Sequence, residues 1–506
     1  MALLRPLINQ MSTKLPHLLG PGGFLQARRE GASYIVENRP YVPSLIVDLN
    51  DETTVVNAAK VILSCAGGNK ADIETKSVRN TATVKVSIMS GGLTNALFRV
   101  DIDDGKQHSV TSLLVRIFGA EGMIDRDKET ANFARLCNAK GSVVHSQLDY
   151  LGRFGNGRVE TLIPNMRAAT ICDLREKEDL VLEVTRQMAR LHYGFDIPDY
   201  LLEKDAISSG VEEGENNCCQ PQPVLWDVLA SWNDELITKI SQACSSDLRL
   251  VNIFCSALFG DTVQLNSIAA QDDDDKRESA LTEMMSHIAK QLNRETRWIQ
   301  DHVSEHHPDA PIAFCHNDVN AGNILVDGRL DSSDSSCYDR DSVATIDYEY
   351  GALNYTMYDM ANFICEHCGG NDNGIPDYKL MPSLELQRKL VQEYMQERDS
   401  VMDNAATKHV GEYEEVTKLL SQMQTFQMVS HLYWGTWGIL QGASELLDGE
   451  YEIENIKSRI GGDIDINSWD NLRYGKNRLD RYRKHKQSML ETGQKQMSYL
   501  YNSGRL

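Results

Sequence analysis

The chain has 506 residues, 41% hydrophobic and 25% charged, as in soluble globular proteins large enough for two or more lobes. Its formal net charge of −22 argues against nucleic acid or an anionic membrane as a main partner, because both select basic surfaces. The eleven cysteines are odd in number and scattered, which argues against a disulfide framework and for reduced thiols in the cytoplasm.

Residues 1–40 read as a disordered leader. Arg5, Lys14, Arg28 and Arg29 stand there before any acid, a bias that also fits an organelle transit peptide. Pro6, Pro16 and Gly20-Pro-Gly-Gly23 interrupt a continuous amphipathic helix, however. Residues 41–165 read as a small mixed domain rich in strands. Thr83-Val-Lys-Val-Ser-Ile alternates apolar and polar residues, Ser90 to Asn95 turns the chain, and Ala96 to Val100 resumes as a strand. Leu113 to Phe118 is a further strand ended by Gly119, and Asp127 to Ala139 has helical periodicity. Asn156-Gly157 is a hairpin signal.

Downstream, a larger domain over 166–490 is mostly helical, with helices expected over Glu178–Tyr193 and Ser279–His302, and 491–506 form a tail. Exposed insertions are expected near 203–223, 266–278 and 328–342. The uncharged stretch between Lys418 and Glu445 is diluted by Ser, Gln, Thr, Gly and His, so it reads as a buried helix and no integral membrane span is expected. Cys365-Glu-His-Cys368 is a lone CxxC without a second pair at zinc-site spacing.

The chemistry concentrates in Phe314-Cys-His-Asn-Asp-Val-Asn-Ala-Gly-Asn323 and Ala344-Thr-Ile-Asp-Tyr-Glu349. Phosphoryl transfer is catalysed mainly by positioning and by neutralising charge on phosphate oxygens. An Asp that takes the hydroxyl proton, followed five positions later by an Asn that holds magnesium, is the kinase catalytic-loop spacing, and Asp318 and Asn323 have it. Asp347 ends its own β-type run and supplies a second hard-oxygen ligand of the kind Mg²⁺ prefers. Pro311–Phe314 and Asn323–Val326 are apolar runs expected to be strands on either side of the loop. No Gly-x4-Gly-Lys-Ser/Thr occurs, so the chain is not a P-loop enzyme. Ser90, Gly91, Gly92, Thr94 and Asn95 instead form a glycine-bearing turn able to approach a triphosphate, and Arg116 sits mid-strand where a phosphate-gripping cation would stand.

These stretches resemble the choline/ethanolamine kinase family over most of residues 83–485. The resemblance is carried by Ser90–Asn95, Leu114-Val-Arg-Ile-Phe-Gly119, Asp125-Arg-Asp-Lys-Glu129, His316 to Asn323 and Ile346-Asp-Tyr-Glu-Tyr350. Asn354-Tyr355, Tyr358 to Glu366 and Ser430 to Trp437 complete it. It implies an α+β, bilobal, protein-kinase-like fold: an N-terminal nucleotide-binding lobe with an antiparallel sheet and a helix, then a larger, mostly helical catalytic lobe. It further implies ATP and Mg²⁺ as cofactors and a small amino alcohol as substrate; a homodimer is compatible with it.

By the same resemblance, Asp318 is the catalytic base, Asn323 and Asp347 the magnesium ligands, and Ser90–Asn95, Arg116 and Arg167 the nucleotide-binding elements. Glu366, Trp434 and Trp437 would hold the cationic amine, an assignment that carboxylate–ammonium and cation–π chemistry supports. Glu349, beside Asp347, belongs either to the substrate side or to the ordering of Arg116 and the metal. His367-Cys-Gly-Gly after Glu366 is nearer the ethanolamine kinase pattern than the aromatic pattern of choline kinases, so ethanolamine is the expected substrate. Choline kinase, a dual enzyme, an aminoglycoside-type phosphotransferase and an inactive kinase-fold scaffold are the alternatives.

Overall fold

The computed structural model describes residues 39–66, 83–89, 95–103, 110–119, 125–139, 143–198, 201, 222–246, 249–260, 274–332, 338–370, 373–402, 412–447 and 470–502. Most of the expected leader, Ser90 to Thr94, and the insertions at 203–221 and 266–273 lie outside the described residues.

In chain order the elements are β1 (Tyr41–Val42), α1 (Glu52–Ala66), β2 (Thr83–Met89), β3 (Asn95–Asp103), β4 (Val110–Phe118), α2 (Arg126–Asn138), β5 (Tyr150–Phe154) and β6 (Gly157–Thr161). There follow β7 (Met166–Ala168), α3 (Ile171–Glu176), α4 (Glu178–Gly194), α5 (Leu225–Ser246), α6 (Arg249–Phe259), α7 (Asp274–His306), β8 (Ile312–Cys315), β9 (Ile324–Asp327) and β10 (Val343–Thr345). The chain closes with β11 (Ala352–Tyr355), α8 (Thr356–Glu366), α9 (Leu384–Val401), α10 (Glu412–Leu447) and α11 (Asn471–Asn502). The class is α+β, as expected. Two compact units emerge: residues 1–196 with 321–351, and residues 197–320 with 352–506.

The first unit is built on a six-stranded sheet of order β1-β5-β6-β4-β3-β2, antiparallel except where β1 runs parallel to β5. Alternation along β4 decides its two faces. Leu113, Val115 and Ile117 pack with Val55, Ala58, Ala59 and Ile62 of α1 in the core, while Arg116 points to the opposite face. The i, i+3, i+4, i+7 spacing of those α1 residues is a helical stripe that the sequence reading passed over. The hairpin turn is also displaced by one residue: Phe154 pairs with Gly157, so the loop residues are Gly155 and Asn156. The cause is packing rather than dihedral preference. A Cβ on Gly157 would lie 2.2 Å from the Arg116 carbonyl, and the Asn156 amide bonds both the N–H and the C=O of Val47 at 2.9 Å. A second sheet of order β10-β9-β7 completes this unit. At the end of the 328–342 stretch, Tyr338 and Ser342 are buried rather than exposed, Ser342 being tied into a turn with Asp339.

In the second unit β8 and β11 form an antiparallel pair, and α5, α7, α8, α10 and α11 supply most of the core. The uncharged stretch forms the middle of α10, as its composition implied. Three glycines on α10 let it approach α11 closely: a Cβ on Gly438 would stand 2.7 Å from the Gly475 Cα, and Leu472 and Leu479 crowd Gly442 and Gly435. Among the described residues no helix is long and apolar enough to cross a membrane.

Candidate active site

Within the first unit the structure brings Asn323 and Asp347 to the same end of one β-ladder. Asn323 ends a short 3-10 turn that runs into β9, Asp347 follows β10, and Ile346 N–H donates to the Asn323 carbonyl at 2.9 Å. Asp347 has φ +66°, a left-handed conformation that non-glycine residues adopt at a cost of about 1–3 kcal/mol. Its Oδ1 accepts from Arg116 Nη1 at 3.0 Å.

Arg116 is 2% exposed and its Nε donates to Glu160 Oε1 at 3.2 Å, so it is an inward residue of β4 and not a solvent-facing one. Burial alone would favour neutrality, but Asp347 and Glu160 hold the guanidinium firmly charged. Around it lies a buried ionic group, of which only Glu349 is a site residue expected from the sequence. Arg158 donates to Glu160 through Nε and to Glu129 Oε1 at 2.7 Å, and Arg126 bonds Glu129 Oε2 at 2.7 Å and Glu349 Oε2 at 3.0 Å. Glu349 also accepts from Asn95 Nδ2 at 3.2 Å. Burial, reinforced by the charge of Asp347, pushes the Glu349 carboxyl up to about 7. Glu349 thus bonds Asn95 and Arg126 directly and leaves the bond to Arg116 to Asp347. Arg167 is clamped by both oxygens of Asp173, at 2.8 and 3.1 Å, and Asp173 closes the capping box of α3 with Thr170. Ser90, Gly91, Gly92 and Thr94 lie outside the described residues.

In the second unit the loop after β8 is pinned from below. Buried Asp359 on α8 accepts from His316 N–H at 2.9 Å and from Asn317 N–H at 2.8 Å, one backbone donor for each oxygen. Asn317 has φ +66°, and its side-chain oxygen is held by Asn354 Nδ2 at 2.8 Å. The Asp318 N–H bonds His316 Nδ1 at 3.3 Å, and Asp318 Oδ1 accepts from Asn320 at 3.1 Å. The sequence signal for Asp359 is an acid in the first turn of α8, inside the Tyr358–Glu366 stretch that carries the family resemblance.

Glu366 ends α8 and is nearly buried. It accepts from Arg478 Nη1 at 3.2 Å, and Arg478 also donates to the Ser430 hydroxyl at 2.8 Å. Trp434 and Trp437 meet edge to face, with centroids 5.7 Å apart, as their spacing on one helix implied. Tyr433 adds a ring 5.4 Å from Trp434, and Tyr474 one 6.4 Å from Trp437. Burial, and to a smaller degree the charge of Asp318, pushes the Tyr433 phenol far up, and burial, opposed by Arg478 and reinforced by Glu366, Tyr378 and Asp318, does the same to Tyr474. Asp318 and this aromatic group therefore share one electrostatic neighbourhood.

The sequence profile described as choline/ethanolamine kinase matches residues 86–483. The chain belongs to the choline/ethanolamine kinase family. A member of that family is an ATP-dependent phosphotransferase acting on an alcohol group of a small molecule. A probable choline kinase 2 of Arabidopsis thaliana is 26% identical over 383 residues, covering 75% of this chain and 84% of that protein. A probable ethanolamine kinase of the same plant is 26% identical over 370 residues, covering 72% and 75%. Among solved structures, an ethanolamine kinase of Plasmodium vivax superposes with a TM-score of 0.54 at 19% identity, over 87% of this chain and 91% of that one. This last likeness is one of fold, and it is protein-kinase-like. Relatives of this kinase carry both substrate names at equal identity.

Proposed function

We propose that this kinase phosphorylates ethanolamine, with Asp318 as the base that orients the hydroxyl and accepts its proton. Support comes from one arrangement above all: α8 holds the Asp318 loop through Asp359 at 2.8 and 2.9 Å, ends in Glu366, and meets Tyr433 of the aromatic group through Tyr358, with centroids 5.9 Å apart. A base and a cation-attracting pocket in one place suit an amino alcohol, whose hydroxyl and ammonium are two carbons apart. Glu366 supplies an acceptor for a primary ammonium, which carries three N–H donors and needs acceptors more than a closed aromatic cage. Arg116 and the segment 90–95 are assigned to the nucleotide phosphates, and Arg167 to the nucleotide.

The donor set of Asn323 and Asp347 fits Mg²⁺: both offer hard oxygens, and their backbones are tied at one ladder end. When bound there, the ion would neutralise charge on the phosphate oxygens. Glu349 is assigned to ordering this end through Asn95 and Arg126. The product, phosphoethanolamine, would feed the CDP-ethanolamine route to phosphatidylethanolamine.

Choline is the second reading, favoured by the four contacting rings, because a quaternary ammonium is held by aromatic faces. Side-by-side kinetics with Mg·ATP separate the two: kcat/KM for ethanolamine should greatly exceed that for choline, and the reverse ratio would transfer the assignment. Asp318→Ala should lower kcat by roughly 10²–10⁴-fold, the usual loss of a positioned base.

A further inference from the structure

In protein kinases the phosphate-gripping cation pairs directly with a helix carboxylate. Here the helix carboxylate, Glu129 on α2, bonds Arg126 and Arg158, while Arg116 bonds Glu160 and Asp347. The link from α2 to Arg116 therefore runs through β6: Glu129 to Arg158 at 2.7 Å, Arg158 to Glu160, and Glu160 to Arg116 at 3.2 Å. Local geometry explains it. Arg158 and Arg116 are cross-strand partners on β6 and β4, so two like charges face each other in the sheet. Glu160, two residues along β6 on the same face, lies between them and accepts from both. Arg158 is further fixed by the Phe133 ring, 4.5 Å from its guanidinium carbon. All four residues are 3% exposed or less, so a lost bond cannot be replaced by water.

We propose that Arg158 and Glu160 are positioning residues that hold Arg116 for the nucleotide and keep it from over-engaging Asp347. This rests on the assignment of Arg116 to phosphate and Asp347 to metal made above. With Glu160 in place, Arg116 is shared between two carboxylates, and only one of them is assigned to the metal. Without the Glu160 charge, Asp347 becomes the principal counter-ion of Arg116, and Arg116 then competes with the metal ion for that carboxylate.

Glu160→Gln keeps the volume and one acceptor oxygen while removing the charge. In the full-length enzyme, KM for ATP and the Mg²⁺ concentration at half-maximal rate should each rise about tenfold, with KM for the amino alcohol unchanged. Arg158→Lys keeps the charge but loses the two-way fork, and should shift the same two constants in the same direction by less. Arg116→Ala is the reference. If it leaves KM for ATP unchanged, the phosphate assignment itself fails. If it raises KM for ATP while folded Glu160→Gln does not, the relay alone is overturned. Equal loss across all substrates, or failure of both Glu160→Gln and Arg158→Lys to fold, would make the chain a core device and also overturn the proposal.

Discussion

Asp359→Asn isolates the anchor of the loop after β8 from Asp318, the base proposed to lie on it. Native Asp359 offers one oxygen to each of two successive backbone N–H groups, at 2.9 and 2.8 Å, with no solvent access. Asparagine keeps one acceptor and sets an NH₂ against the other donor. Hydrogen bonds to a charged group contribute about 1.5–3 kcal/mol each, and a buried donor left without a partner costs about 1–3 kcal/mol, so a stability loss of about 2–4 kcal/mol is expected. The same pair of bonds holds Asn317 at φ +66°, a conformation that costs about 1–3 kcal/mol and relaxes when its restraint goes. Asp318 is the next residue, and a misplacement of about 1 Å can cost about 10²-fold in rate. The assay pairs urea denaturation with kcat at saturating ATP and amino alcohol. A variant that loses stability but retains full kcat would refute the idea that Asp359 orients the base.

Two further outcomes test the packing and the buried charges. Gly438→Ala should lower stability by about 1–3 kcal/mol, because its methyl group meets the Gly475 Cα at 2.7 Å and the Asn471 carbonyl at 2.9 Å, both rigid backbone. Gly328→Ala, where the nearest atom is the Asn165 carbonyl at 3.4 Å, should be near neutral in the same denaturation experiment. As for pH, burial opposes ionisation of Glu129, but Arg158 and Arg126 outweigh it and depress its carboxyl from 4.5 to about 2. A depressed carboxylate contributes stability above its unfolded value and loses it as the native group protonates. Stability should therefore fall as pH drops from about 4.5 towards 2, and Glu129→Gln should flatten that limb; an unaltered acid limb would contradict the pairing.

Much was legible in the sequence because it is local. Strands β2, β3, β4, β8, β9 and β10 and helices α2, α4 and α7 follow from periodicity, and the Asp318-to-Asn323 spacing from the geometry of one loop. Trp434 and Trp437 meet because residues three apart share a helix face. The missed pieces have partners distant in the chain. Arg478 is 112 residues from Glu366, Asp359 is 43 from His316, and Glu160 is 44 from Arg116. No periodicity encodes such pairs.

The sequence by itself carried the residues proposed for the chemistry: Asp318 for the base, Asn323 and Asp347 for the metal, Arg116 for phosphate and a pair of tryptophans, each in a short run whose spacing is set by its own strand, turn or helix. Only the tertiary structure decided which charges neutralise one another, that β9 and β10 fold with β7 in the first unit, and that α10 and α11 pack at glycine distance. The reason is physical. Backbone geometry acts over a few residues, whereas buried ion pairs and close packing exist only once folding has excluded water from groups far apart in the chain.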